Sequence, residues 1–233
     1  MTGNADLRDA ATPVALASPD DAVSLWWCAL AAPPERMQVL ESWLSAAEVA
    51  RADRFGMRAL RDRYVVGRAS LRAVLGTLLS MAARDVPIVR GERGRPCLEC
   101  DSTLDFNVSH TAGVALIGAT RGARIGVDVE RLDRAINVAG IARKFLTDAE
   151  RRSLADVDAD SARRRVLRLW TCKEAMSKAT GDALSAPFGS LDVALDEGPR
   201  LCSGPVPYEP SRWTLRSAAV PAGYVATMAL WER

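Results

Sequence analysis

The sequence predicts an α/β protein made of two similar halves, each a small sheet packed on a long helix, with a site at the interface between them. Three echoes predict this. The run Trp43-Leu-Ser-Ala-Ala-Glu48 returns as Phe145-Leu-Thr-Asp-Ala-Glu150, and the strand-like VSLWWCAL (23–30) returns as IGVDVERL (125–132), both at an offset of 102 residues. The third echo is AGVALIGA (112–119), which returns as AGYVATMA (222–229) at an offset of 110. Constant order with drifting spacing is the pattern of a duplicated unit. A fourth match aligns a helix end at Gly76 with one at Gly181, which sets Ala69 opposite Glu174, Trp26 opposite Asp128 and Cys28 opposite Glu130.

In chain order, residues 1–21 are Ala/Pro/Asp-rich without periodicity and read as a flexible lead-in. The apolar run 23–30, closed by Ala32-Pro33-Pro34, is a buried strand. A helical stretch over 35–44 precedes Ser45-x-x-Glu48, which has the spacing of a capping box and opens a second helix. Asp62 to Ser80 is a long amphipathic helix, with Leu71, Val74, Leu75, Leu78 and Leu79 at helical intervals. Short strands over 87–89 and 114–119 flank a turn at 91–96. The halves, 22–121 and 122–233, join near 120–124. The second repeats the order: a strand at 126–130, a capping box Thr147/Glu150, and a helix from Ser161 to Thr180 free of Gly and Pro and stopped at Gly181.

With 48% hydrophobic and 26% charged residues and a net charge of +2, the chain is an ordinary globular protein without a global field for nucleic acid or anionic membrane. No basic, then apolar, leader opens it and no run of about 18 apolar residues occurs. The expectation is a cytoplasmic monomer that binds neither nucleic acid nor membrane. The basic runs at 151–152 and 163–165 alternate with Asp156, Asp158 and Asp160 and read as a solvated helix face. Five cysteines without a secretion signal argue for reduced thiols. Cys97-x-x-Cys100 lies in what reads as a loop, and His110, the single histidine, cannot complete a zinc site.

Chemistry gathers in two places. Asp128 and Glu130 alternate along a strand and point the same way, about 6–7 Å apart. On the helix, Glu174 and Lys178 are i,i+4 neighbours on one face. If helix packs on strand, three carboxylates and one ammonium converge, and three oxygen ligands suit Mg²⁺ shared with phosphate oxygens. The first half lacks those acids and carries anion ligands instead: Arg51, Arg54, Arg63, Arg68, and the turn Arg93-Gly94-Arg95-Pro96. Asn107-Val-Ser109-His110, read as a bend after a short strand, offers hydroxyl, amide and imidazole donors to phosphate. Three function classes fit these residues: a group transferase, a Mg²⁺-dependent phosphohydrolase, and a non-catalytic nucleotide-binding protein.

The series FNVSH (106–110), GVDVE (126–130) and WTCKEAMSK (170–178) resembles the 4′-phosphopantetheinyl transferases, in particular the two-halved type that activates peptide and polyketide synthases. The resemblance runs from about Trp43 to Lys178. It implies Mg²⁺-dependent transfer of the phosphopantetheine arm of coenzyme A, the co-substrate, to a serine of a carrier protein, releasing adenosine 3′,5′-bisphosphate. By the same resemblance Ser109 and His110 contact coenzyme A phosphates, Arg51 and Arg63 fall on positions that bind the 3′-phosphate, and Arg95 matches a basic residue that reaches the nucleotide. Asp128, Glu130 and Glu174 would hold the metal; Glu174 would act as base and Lys178 would neutralise the leaving phosphate. Lys173 packs or pairs. Glu48 departs from the pattern, since some relatives have lysine there.

Overall fold

The structure is a computed structural model that describes residues 12–99 and 103–232, the side chain of Glu92 apart. Its first half comprises strands β1 (Val14–Leu16) and β2 (Val23–Ala29), helices α1 (Pro34–Glu41), α2 (Ala46–Ala52) and α3 (Arg58–Leu79), and strands β3 (Ile88–Arg90), β4 (Pro96–Leu98), β5 (Leu104–Thr111) and β6 (Val114–Arg121). The second comprises β7 (Arg124–Arg131), helices α4 (Val138–Phe145), α5 (Asp148–Arg152) and α6 (Ala159–Thr180), and strands β8 (Asp192–Ala194), β9 (Arg200–Ser203), β10 (Trp213–Ser217) and β11 (Tyr224–Trp231). Of the expected lead-in, residues 1–11 lie outside the described residues, but Val14–Leu16 pairs with β2 as an edge strand. Cys97 sits in β4 and not in a loop, while Cys100 lies outside the described residues.

The strands form an antiparallel sheet in the order β1-β2-β6-β5 and a second in the order β10-β11-β7, with β3-β4 and β8-β9 as separate hairpins. Side-chain alternation then sets the layers. On β2 and β6, Cys28, Ala115, Ile117 and Ala119 face Leu71, Val74 and Leu75 of α3. Their alternates Val23, Leu25 and Leu116 pack against Ile125, Val127, Val129, Ala226, Met228 and Leu230 of the second sheet. The order through the molecule is therefore α3, first sheet, second sheet, α6. Helix α6 lies so close on β7 that a Cβ at Gly126 would stand 1.8 Å from the Ala175 carbonyl oxygen, so only glycine fits there.

Each long helix is anchored by a buried cation on a capping-box glutamate. Ser45 and Glu48 form the expected box at α2, and Thr147 and Glu150 form it at α5. Arg72 donates to Glu48 at 2.7 Å and to the carbonyls of Ala83, Arg84 and Val86, and Arg68 pairs with the same carboxylate. Lys173, fully buried, donates to Glu150 at 2.6 Å and to the carbonyls of Phe145 and Phe188. Glu48, Arg68 and Lys173 thus have structural partners, which accounts for the departure at Glu48. Both helices have 22 residues, and the anchoring cation is the fifteenth of each. Ala73 is the sixteenth residue of α3 as Glu174 is of α6, and Gly76 lies inside α3 and does not end it. Gly181 does end α6, in the left-handed region at φ 85°.

Burial alone would raise the Glu48 carboxyl, but Arg68, the Ser45 amide and Arg72 together hold it below its ordinary value of 4.5. A group depressed in the folded state adds stability that is present above the unfolded pKa and lost as pH falls through the folded one. Glu48→Gln should therefore lose roughly 3 kcal/mol at neutral pH, as when one partner of a buried pair is removed. Urea unfolding across pH 3–7 should also show a shallower loss of stability below about pH 4.5 in the variant than in the parent.

Candidate active site at the seam between the sheets

Strand β7 is the edge of its sheet, pairing with β11 on one side only. Its outward amides need acceptors, because an unpaired buried N–H is destabilising. Those acceptors are side chains of β5. Ile125 N–H donates to Asp105 Oδ2 (2.8 Å), Val127 N–H to Asn107 Oδ1 (3.1 Å) and Val129 N–H to Ser109 Oγ (3.3 Å). The constant separation of 20 residues makes this a parallel, in-register row of side-chain-to-backbone bonds joining the two sheets.

The row ends in the acidic cluster. Ser109 Oγ donates to Asp128 Oδ1 at 2.7 Å. Lys178 Nζ, from the last turn of α6, donates to the same Oδ1 at 2.7 Å and to Ser109 Oγ at 2.9 Å. Asp128 is 5% exposed, and its Oδ2 is buried with no hydrogen-bond partner among the described residues. Two residues on, Glu130 accepts from Arg134 and, at 3.4 Å, from Thr111. Glu174 is half-buried and its carboxylate makes no hydrogen bond among the described residues. Burial, then the charge of Asp128, pushes the Glu174 carboxyl above the ordinary glutamate value, with Lys178 opposing and Glu130 adding. Glu130 is raised by burial, against Arg134, with Asp128 adding.

Strand and helix thus bring Asp128, Glu130, Glu174 and Lys178 together. Lys178 reaches across to Asp128 and Ser109 and does not pair with Glu174. With Arg134 on Glu130 as well, no three His, Cys, Asp or Glu side chains among the described residues are grouped to hold a metal ion. The donor set nevertheless fits a hard cation. It offers an orphaned buried carboxylate oxygen, an unbonded carboxylate beside it, and mutual repulsion that a divalent ion would relieve.

The expected anion ligands divide. Arg51 and Arg63 are exposed and have no ion pair among the described residues; Arg51 lies over the Tyr64 ring at 5.6 Å. Arg95 is turned inward. It is 7% exposed and donates to both Asp105 oxygens (2.8 and 2.7 Å) and to the carbonyls of Phe106 (3.0 Å), Ile125 (2.7 Å) and Lys178 (2.9 Å), so its guanidinium faces the interior. Arg93 pairs with Asp182. Asn107 to His110 lies within β5, not at a bend, so Ser109 and His110 point to opposite faces. Ser109 is buried at the seam with its hydroxyl engaged by protein, whereas His110 is exposed. Asp105, Thr111 and Arg134 were not expected at the site. The alternation of Asp105, Asn107, Ser109 and Thr111 with the rest of LDFNVSHT was the signal, since polar residues on one face of a strand need a polar partner. The thiols of Cys28 and Cys172 are pushed up to about 12 by burial and play no part.

An acid-and-lysine helix turn over an acidic strand pair, with arginines lacking an ion pair among the described residues in the first half, has the charges to hold a phosphate-bearing ligand. Comparison with known proteins identifies the class. Residues 124–229 match the 4′-phosphopantetheinyl transferase superfamily, and residues 31–122 match the N-terminal part of 4′-phosphopantetheinyl transferases. The chain is 35% identical to 4′-phosphopantetheinyl transferase HetI of Nostoc sp. over 75% of each chain. It is 26% identical to 4′-phosphopantetheinyl transferase psf-1 of Bacillus pumilus, over 70% of this chain and 69% of that one. A solved holo-(acyl-carrier-protein) synthase from Bacillus anthracis, at 21% identity and a TM-score of 0.39 over 46% of this chain and 94% of its own, is too remote to add to this. The chain belongs to the 4′-phosphopantetheinyl transferase family, and it is an enzyme of that class.

Ser109 and His110 should separate in stability. Ser109→Ala leaves the Val129 amide and Lys178 each short of a partner and should destabilise by about 1–3 kcal/mol. His110→Ala removes an exposed ring and should change stability by less than about 0.5 kcal/mol. Denaturant unfolding of the two variants beside the parent checks both values.

Proposed function

We infer that the chain transfers the 4′-phosphopantetheine arm of coenzyme A to a serine hydroxyl of a carrier protein, and that the reaction takes place at Asp128, Glu130, Glu174 and Lys178 with Mg²⁺. The observation that carries this reading is the meeting of Ser109, Asp128 and Lys178 within 2.9 Å, drawn from both sheets and α6, beside an orphaned Asp128 oxygen and an unbonded Glu174. Family membership favours transfer over a phosphohydrolase or a non-catalytic binder.

In this reading the carrier serine oxygen attacks the phosphorus next to the pantetheine arm. A new P–O bond forms there, and the P–O bond to the nucleotide breaks, releasing adenosine 3′,5′-bisphosphate. Glu174 takes the serine proton, directly or through one water; its raised pKa suits a base that must first hold the proton and then release it. Lys178, already drawn to the seam by Asp128, supplies positive charge to the departing phosphate. Asp128, Glu130 and Glu174 would hold Mg²⁺, which when bound offsets the charge of the diphosphate. Arg51 and Arg63, the cations left unpaired on α2 and α3, would grip the 3′-phosphate, with His110 on the exposed face of β5 as a further phosphate donor. We take residues 22–121 and 122–233 as copies of one unit. The repeated capping box and its buried cation support that, and only the second copy has a carboxylate after the cation, Glu174 against Ala73.

The test is a separation of kinetic signatures with an apo-carrier as acceptor. Asp128→Ala and Glu174→Gln should lower kcat on the order of 100-fold or more while coenzyme A binding is largely kept, because they remove groups that matter in the transition state. Arg51→Ala and Arg63→Ala should raise KM for coenzyme A more than they lower kcat, and should equal the parent on dephospho-coenzyme A, which lacks the 3′-phosphate. Equal losses on both substrates would remove the arginines from the 3′-phosphate site. Full turnover after exhaustive EDTA treatment would remove the metal.

A further inference from the structure

Arg95 makes an unusual set of contacts for a residue of a solvent-facing turn. It follows Arg93 (φ 56°) and Gly94 (φ 76°), whose left-handed backbone folds the chain between β3 and β4 back inward. The guanidinium then spans three elements. Its bidentate partner Asp105 and the Phe106 carbonyl belong to β5, the Ile125 carbonyl to β7, and the Lys178 carbonyl to α6. These are the elements that present Ser109, Asp128 with Glu130, and Glu174 with Lys178.

Each contact meets a backbone group that the fold leaves open. The Lys178 carbonyl is among the last four of α6, which have no partner within the helix. The Ser177 carbonyl beside it is taken by the Gly181 and Thr180 donors, so Arg95 closes the next position. The Ile125 carbonyl is on β7, the edge strand whose amides β5 covers, and Asp105 accepts from the Ile125 amide while also holding Arg95. One guanidinium therefore fixes how far along β7 the last turn of α6 stands. Arg93, paired with Asp182 just past Gly181, braces the same end from outside. For Arg95 to reach a phosphate, it would have to leave an aspartate and three carbonyls behind, two of the carbonyls on buried residues.

We propose that Arg95 is a positioning residue and not a coenzyme contact: with Asp105 it sets the register at which α6 holds Glu174 and Lys178 over Asp128 on β7. This rests on the reaction assigned above. A lysine cannot replace it, since one ammonium cannot cover the directions served by Nε, Nη1 and Nη2. Misplacing catalytic groups by about 1 Å from a distance can lower the rate on the order of 100-fold.

The experiment is a double-mutant cycle on the full chain with Arg95→Lys, Asp105→Asn and the pair, reading kcat with an apo-carrier and the affinities for coenzyme A and dephospho-coenzyme A by calorimetry. Assays run well below the melting temperature of each variant, so a merely structural loss would leave kcat of the folded fraction intact. Asp105→Asn keeps an acceptor for the Ile125 amide and serves should Arg95→Lys fold poorly. The expected result is a fall in kcat of roughly 10- to 100-fold in each single variant, a pair no worse than about the poorer single, and affinities for both coenzymes within about threefold of the parent. A tenfold loss of coenzyme A affinity in Arg95→Lys that disappears with dephospho-coenzyme A would overturn the proposal and make Arg95 a 3′-phosphate ligand. A kcat within about twofold of the parent in both singles would also overturn it. A parent that makes no holo-carrier would refute the assigned reaction instead, and the calorimetry would still decide whether Arg95 touches the coenzyme.

Discussion

A strand with an open edge inside a protein must find acceptors for every outward amide, and β7 finds them in side chains and not in another strand's backbone. Asp105, Asn107 and Ser109 supply one oxygen each to Ile125, Val127 and Val129. That solution has two consequences. It joins the sheets edge to face, so the halves cannot slide by one residue without stranding three amides at once. It also brings a serine hydroxyl and a lysine onto Asp128, leaving one carboxylate oxygen buried and unpartnered. The same row of bonds that holds the fold together thus builds the charged cluster.

The long helices solve a second problem in two parallel ways. A 22-residue helix lying on a sheet needs a fixed axial position, and in both halves a buried cation locks it to a capping-box glutamate. Burial pushes the Lys173 ammonium down in pKa, with Glu150 opposing, so the lock holds only while the two groups stay paired. At the other end of α6, Gly181 ends the helix where Arg93 and Arg95 meet it. Glu174 and Lys178 lie between these two fixed points. A turn held at both ends is the arrangement that the proposed phosphoryl transfer requires of its catalytic groups.

What was legible in the sequence was local. Capping boxes, the β7 alternation and the Gly181 stop depend on neighbours a few residues away, and each formed where its pattern indicated. The cluster of Asp128, Glu130, Glu174 and Lys178 followed because one strand and one helix turn carry it. What stayed open in the sequence was set by partners distant along the chain. Gly94-Arg95-Pro96 fixes a turn but not whether the guanidinium faces solvent or interior; Asp105 and the carbonyls of Ile125 and Lys178 decided that. Ser109 and His110 were taken together as phosphate donors, yet strand alternation sends them to opposite faces, one into the seam and one to solvent. Arg134, which pairs with Glu130, follows a turn after β7 that no periodicity marks.

Amide hydrogen exchange on the intact chain tests the seam most directly. If side chains of β5 close the edge of β7, the amides of Ile125, Val127 and Val129 should be as protected as those of Gly126 and Asp128, which face β11. They should then exchange only by global unfolding. Exchange of the three outward amides orders of magnitude faster than that of their neighbours, as at an uncovered strand edge, would contradict it.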